Sequence, residues 1–218
     1  MKKWLSIASS LLTAALVSAT LSTSALALDR TIIADKAEDV TPLLNGATIP
    51  NVTLKTADGS PVSLQAIVMQ KPTVLIFYRG GWCPYCSRQL AELKSIEQPL
   101  VEAGYQVFAI SPESPAKLQT QKLETEFVVQ LLSDESLAAI RGFGVGFYVP
   151  NETTTRYKDK HGIELTADSS ERAVLPAPAI FILDEKGTVK FNYVNPDFSV
   201  RPSAALVLSA AKLVKTDA

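Results

Sequence analysis

One stretch limits most what this chain can fold into: Lys71 to Leu90, KPTVLIFYRGGWCPYCSRQL. Thr73 to Tyr78 is a short apolar run between Pro72 and Gly80-Gly81, the pattern of a fully buried strand. After Pro84 the period changes. Cys86, Leu90, Leu93 and Leu100 share one helical stripe, with Arg88, Gln89, Glu92 and Lys94 on the other side, so a helix starts here. Pro99 is expected to end or kink it. Cys83 and Cys86 therefore sit where a buried strand gives way to a helix.

That placement has chemical consequences. The first turn of a helix offers unpaired N–H groups and the positive end of the macrodipole, and both favour an anion. A thiolate there has a lowered pKa, and the thiolate is the form that attacks disulfides and peroxides. With two residues between them, either sulfur can resolve a mixed disulfide or sulfenic acid formed on the other. Pro84 has no N–H to lose and suits the first helical position. A zinc site would need four ligands, and beyond the two cysteines the chain offers one histidine plus carboxylates. A structural disulfide closing so small a loop would add little stability. The reading is a redox-active dithiol.

WCPYC at 82–86 is similar to the thioredoxin-superfamily active site, with a Pro-Tyr centre like that of glutaredoxins. The longer run FYRGGWCPYCSRQL, together with LPAPAIFILDEKG at 175–187, resembles peroxiredoxin-like proteins of the alkyl hydroperoxide reductase / thiol-specific antioxidant family, from about Leu43 to Leu213. The resemblance implies an α/β thioredoxin-like fold: a central mixed β-sheet flanked by helices on both faces, with an insertion before the Pro178 strand. It also implies that Pro178 matches the superfamily's cis proline beside the dithiol, with Ala177 offering backbone polar groups to the substrate. The chain departs from the peroxiredoxin pattern Pro-x-x-x-Thr/Ser-x-x-Cys. Aligning the peroxide-attacking cysteine with Cys86 puts Cys83 at the Thr/Ser position and Arg79 at the Pro position. In a thioredoxin-like mechanism the roles reverse, and Cys83, expected to be the more exposed thiol, attacks.

Around the pair, Arg79 has two readings: a surface arginine paired with Glu92, or a guanidinium that holds the thiolate or a peroxide oxygen. Trp82 reads as an apolar flank of the site. Tyr85, like Tyr78, is either a polar tip near the thiols or plain packing. His161, the one histidine, falls in a polar segment and reads as solvated.

Lys2 and Lys3 precede an apolar stretch from Leu5 to Val17 and then Ala25-Leu26-Ala27, the pattern of a secretory signal peptide over 1–27. Cleavage near Ala27 would leave a domain of residues 28–218, periplasmic or secreted. Loss of Lys2 and Lys3 takes the net charge from −1 to −3, which argues against nucleic acid or an anionic membrane as partner. An exposed dithiol in an oxidising compartment needs an external thiol reductant, a thioredoxin-like donor, to turn over. The chain has no third cysteine to act as a distant resolving thiol. No cofactor and no resident metal are expected.

Elsewhere, helical turns are expected around Asp35 to Leu44. Two strands joined by an Asp58-Gly59 turn span Thr48 to Leu64, and Ser63 caps a short helix through Met69. Tyr105–Ser111 reads as a strand, Ser114–Thr125 as a helix, Val128–Leu132 as a strand and Asp134 as a helix start. Residues 142–172 are irregular, with a polar helix through His161; they either line the site or make a solvated excursion. Ala177–Asp184 and Thr188–Val194 read as an antiparallel pair about Glu185-Lys186-Gly187, and Ser203–Val214 as a closing helix.

Three functions fit these residues. The first is a thiol peroxidase reducing hydrogen peroxide or organic hydroperoxides through a Cys83/Cys86 cycle. The second is a thiol–disulfide oxidoreductase acting on exported protein disulfides. The third is a copper-binding protein using both thiols and His161.

Overall fold

The computed structural model describes residue 29, residues 32–125 and residues 129–216. The expected signal peptide over 1–27 lies outside them. Instead of helical turns up to Leu44, the described chain has one 3-10 turn, Ala37–Asp39. The hairpin forms from β1 (Thr53–Thr56) and β2 (Pro61–Ser63), with Gly59 in the turn at φ +89°.

Ser63 ends β2 and caps α1 (Leu64–Val68), its Oγ accepting from the Ala66 N–H at 3.3 Å. Replacing it with alanine leaves that donor without its cap and is expected to lower stability by about 1 kcal/mol. Urea unfolding of Ser63→Ala checks this; an unchanged midpoint would contradict it.

β3 (Thr73–Phe77) is buried along its whole length, and α2 (Pro84–Lys94) follows. The break comes before Pro99. Ser95 closes α2, and α3 (Glu97–Glu102) takes Pro99 as its third residue, where an N–H would have no helical partner in any case. β4 (Gln106–Ser111) follows Gly104, whose φ of +84° ends the helix. α4 (Pro115–Thr125) and β5 (Gln130–Ser133) come next. The following helix, α5 (Ala138–Gly142), starts four residues later than Asp134. Asp134 still serves it, because its Oδ2 accepts from the Ile140 N–H at 2.8 Å.

Within 142–172 lie β6 (Gly146–Tyr148), which the sequence reading missed, and the expected polar helix, α6 (Asn151–His161). The strand expected over Ala177–Asp184 forms, and a short strand the sequence reading missed precedes it. β7 (Val174–Pro176) pairs with β6 in a separate ribbon; β8 (Ala179–Leu183) enters the main sheet and turns back into β9 (Val189–Val194). α7 (Ala204–Thr216) closes the domain.

Among the described residues the main sheet has seven strands in the order β2-β1-β5-β4-β3-β8-β9. β3, β4 and β5 run parallel, and the other pairs are antiparallel, so the sheet is mixed. The strand period of two divides β3 between two cores. Leu75 and Phe77 face a core closed by α1 and α5, where Phe77, Phe143 and Phe181 stack with centroids 4.9–5.9 Å apart. Val74 and Ile76 face the other, closed by α2, α3 and α7, and this core contains both cysteines. The dithiol is thus anchored just beyond the end of β3, an interior strand buried along its whole length.

Candidate active site

β3 leads straight into the site. The Tyr78 N–H extends the parallel ladder to the Ile110 carbonyl at 3.0 Å, and the chain then turns through Arg79, Gly80, Gly81 and Trp82. The Cys83 N–H closes this turn on the Gly80 carbonyl at 3.2 Å. From behind, the Glu113 carboxylate accepts from the Gly81 N–H at 2.6 Å. Tyr78 packs in the same core as the thiols and donates its hydroxyl to Gln121 at 2.9 Å.

Cys83 is the N-cap of α2 and Pro84 its first residue. The Cys83 carbonyl accepts from the N–H groups of Cys86 and Ser87, each at 3.0 Å. Both cysteines are reduced. Exposure does not separate them as expected: Cys83 is 1% exposed and Cys86 0%. Access does. Cys83 lines a cleft of about 290 Å³ together with Arg79, Trp82, Tyr85, Tyr157 and Phe198, whereas Cys86 lies beneath it in the core.

The two thiols titrate in opposite directions. A hydrogen bond from the Cys86 thiol draws the Cys83 pKa down to about 6; burial opposes this, while the Cys86 N–H and the charges of Arg79 and Arg201 assist it. Cys86, donating to Cys83 and deeply buried, is pushed far above the ordinary thiol range. At neutral pH the pair therefore holds one anion, on Cys83. Alkylation by iodoacetamide is expected to rise with pH through about 6 and level off near neutrality, with Cys83 modified and Cys86 spared. Mass mapping across a pH series checks this. A single rise at the free-thiol value of about 8.5 would contradict it.

Arg79 does not pair with Glu92. It is 6% exposed, donates from Nη2 to the Tyr157 hydroxyl at 2.7 Å, and lies 5.0 Å from the Trp82 ring and 4.4 Å from the Phe198 ring. Among the described residues it forms no ion pair, so its charge remains available to Cys83. Trp82 packs on Tyr157 with centroids 5.1 Å apart, and Tyr85 meets Phe198 edge-on at 5.7 Å.

Pro178 and Ala177 are placed differently from what the superfamily's cis proline implies. No described peptide bond is cis, Ala177–Pro178 included. The backbone is paired on both sides of the junction. The Ala177 N–H donates to the Val145 carbonyl at 2.8 Å, and the Pro178 carbonyl accepts from the Asn195 N–H at 3.2 Å, so the backbone passes extended from β7 into β8. Ala177 thus spends its donor within the protein, and neither residue lines the cleft.

The sequence reading missed Tyr157, Phe198 and Arg201. Tyr157, His161 and Ile163 bring residues 157–163 to the cleft wall. Arg201, in the loop after β9, points Nη2 at Cys86 Sγ from 3.7 Å. The one sequence signal for it was an arginine set between Val200 and Pro202, just before the last helix. His161 joins the cleft wall, yet among the described residues no three His, Cys, Asp or Glu side chains group to hold a metal ion.

Solved structures share this fold. Reduced Prx3 of Vibrio vulnificus, crystallised in complex with hydrogen peroxide, superposes with a TM-score of 0.62 at 17% identity, covering 78% of this chain and 99% of that one. Peroxidoxin BcpB of Mycobacterium tuberculosis gives 0.61 at 18% identity, covering 79% and 96%. At such identities the likeness is one of fold. In sequence, chloroplastic peroxiredoxin Q of Triticum aestivum is 29% identical over 150 residues, 69% of this chain. The chain spans only 58% of that relative's length. A model of the AhpC/TSA family matches residues 45–192, a span that contains the dithiol, the sheet centre and α6. With more than half its length inside that match, the chain belongs to the AhpC/TSA family.

Proposed function

We propose that this protein is an exported peroxiredoxin-like thiol oxidoreductase that reduces hydrogen peroxide or a small organic hydroperoxide through Cys83 and Cys86. The observation that carries the reading is Cys83 itself: a stabilised thiolate, 1% exposed, at the wall of a cleft of about 290 Å³. A small oxidant fits that cleft, whose wall Phe198 and Tyr157 complete. The family, and a structural neighbour crystallised with hydrogen peroxide, support the same choice.

The cycle follows from the two titrations. The Cys83 thiolate attacks the distal oxygen of ROOH; the O–O bond breaks, and ROH leaves with a proton, giving Cys83 sulfenic acid. Cys86 then attacks the Cys83 sulfur, and the S–O bond breaks with loss of water as the disulfide forms. A dithiol donor, thioredoxin-like in chemistry, supplies two electrons and restores both thiols. Arg79 stands where a guanidinium can hold the thiolate and steady a peroxide oxygen. Export rests on Lys2, Lys3, the apolar Leu5–Val17 stretch and Ala25-Leu26-Ala27. Such a chain would work in an oxidising compartment, with its donor delivered there.

The test sets two substrates side by side. Reduced protein should consume hydrogen peroxide or cumene hydroperoxide rapidly and reduce insulin disulfides slowly. Fast insulin reduction without peroxide consumption would replace this reading with thiol–disulfide exchange on exported proteins.

A further inference from the structure

Two steps of the cycle proposed above demand an anion on Cys86, the thiol least able to carry one. When Cys86 attacks Cys83 sulfenic acid, its sulfur supplies the electron pair for the S–S bond. The proton it gives up leaves with the departing hydroxyl as water. When a donor dithiol reopens the bridge, the donor sulfur attacks Cys83, the S–S bond breaks, and Cys86 departs with the electron pair. The donor's second thiol then attacks the mixed disulfide. The donor ends as a disulfide; one of its two protons ends on Cys86 and the other is released to solvent, leaving Cys83 a thiolate. In both steps a negative charge develops on a fully buried sulfur, where it is costly without an opposite charge beside it.

We propose that Arg201 is the catalytic residue for this second half of the cycle, binding the Cys86 sulfur as it becomes a thiolate. Its Nη2 lies 3.7 Å from Cys86 Sγ, hydrogen-bonding range for sulfur. The rest of the guanidinium is fixed for that purpose. Nη1 donates to the Phe198 carbonyl and, at 2.9 Å, to the Val200 carbonyl, which holds the fork in one orientation. Nε is buried and has no hydrogen-bond partner. Among the described residues Arg201 forms no ion pair with a carboxylate within 4.0 Å; Asp197 feels its charge but bonds to Ser199 instead. The backbone is held on the far side too, since Ser203 Oγ caps α7 through the Leu206 N–H at 3.3 Å.

Labour is thereby divided between two arginines. Arg79 lies in the aromatic cage beside the cleft and serves the attacking sulfur. Arg201, half-buried in the loop after β9, adds its charge at that sulfur too but is the arginine whose side chain reaches the resolving one. The duty of Arg201 does not follow from the cysteine motif, because it reaches Cys86 from 115 residues along the chain.

Reduced full-length wild type, Arg201→Met and Arg201→Lys test the assignment. Methionine keeps much of the side chain's volume without charge, and lysine restores the charge without the fork. After mixing with one equivalent of hydrogen peroxide, Cys83 sulfenic acid is trapped with dimedone, and disulfide formation is followed separately. Arg201→Met should slow disulfide formation by roughly 10- to 100-fold relative to sulfenic acid formation, the worth of a hydrogen bond to a charged group. Sulfenic acid should accumulate, and Arg201→Lys should recover part of the loss. Equal slowing of both steps, or no slowing of the second, would overturn the assignment.

A second arm keeps it separate from the peroxide reading. With glutathione disulfide as oxidant, Cys86 must attack a mixed disulfide on Cys83, and the same slowing is expected in Arg201→Met. If wild type ignores peroxide but Arg201→Met is slow in this arm, the peroxidase reading fails and the role of Arg201 stands. If this arm is unaffected, the role of Arg201 fails.

Discussion

Cys83→Ser is expected to lower the peroxide-reducing rate by at least about 1000-fold, because a hydroxyl cannot replace a thiolate held near neutrality. Cys86→Ser should behave differently. Its hydroxyl can still donate a hydrogen bond towards Cys83, so the first step survives: one equivalent of peroxide is consumed and Cys83 stops as sulfenic acid. Excess peroxide then drives it to sulfinic acid, and turnover ends. The contrast between one turnover and none assigns the two roles. If Cys83→Ser kept the single turnover and Cys86→Ser lost it, Cys86 would be the attacking sulfur, as the peroxiredoxin pattern aligned on Cys86 implies.

The second large effect is structural. Gly80 sits at φ +145°, and a Cβ there would meet Trp82 Nε1 at 2.5 Å and the Glu113 carboxyl carbon at 2.7 Å. Neither neighbour is free to yield. Trp82 is packed on Tyr157 and Arg79, and Glu113 holds the Gly81 N–H. Gly80→Ala therefore combines backbone strain with overpacking and is expected to cost about 2–4 kcal/mol. For a domain of this size that lowers the melting temperature by roughly 5–15 °C. It should also raise the Cys83 pKa, because the turn that presents the sulfur must shift. Gly162→Ala is the control, with φ +65° and nothing within 4 Å of its Cβ, so strain acts alone. Equal melting temperatures for the two variants would contradict the packing argument.

Legibility in the sequence followed the range of the contacts. β3, the dithiol and α2 could be read because a short apolar run and a helical stripe meet at Cys83 within twenty residues. The same holds for the Gly59 hairpin and the Ser63 cap, whose interactions span a few residues. β6 is three residues long and carries no period, and its meaning comes from pairing with β7 about thirty residues later. Tyr157 lies on a helix with no buried residue, so nothing local marked it as the partner of Arg79. Phe198 is 44% exposed and reads as an ordinary loop aromatic until its ring is found over Arg79. For Pro178 the cis geometry that the resemblance implies is absent. Its motif was clear, but the sheet hydrogen bonds on either side fix its backbone as an extended bridge between β7 and β8.

The most direct test of the dithiol cycle is a single-turnover titration of the fully reduced protein with hydrogen peroxide, counting free thiols and peroxide together. One peroxide should disappear for every two thiols lost, with a Cys83–Cys86 disulfide as the product. Peroxide left unconsumed while both thiols stay free would contradict the account.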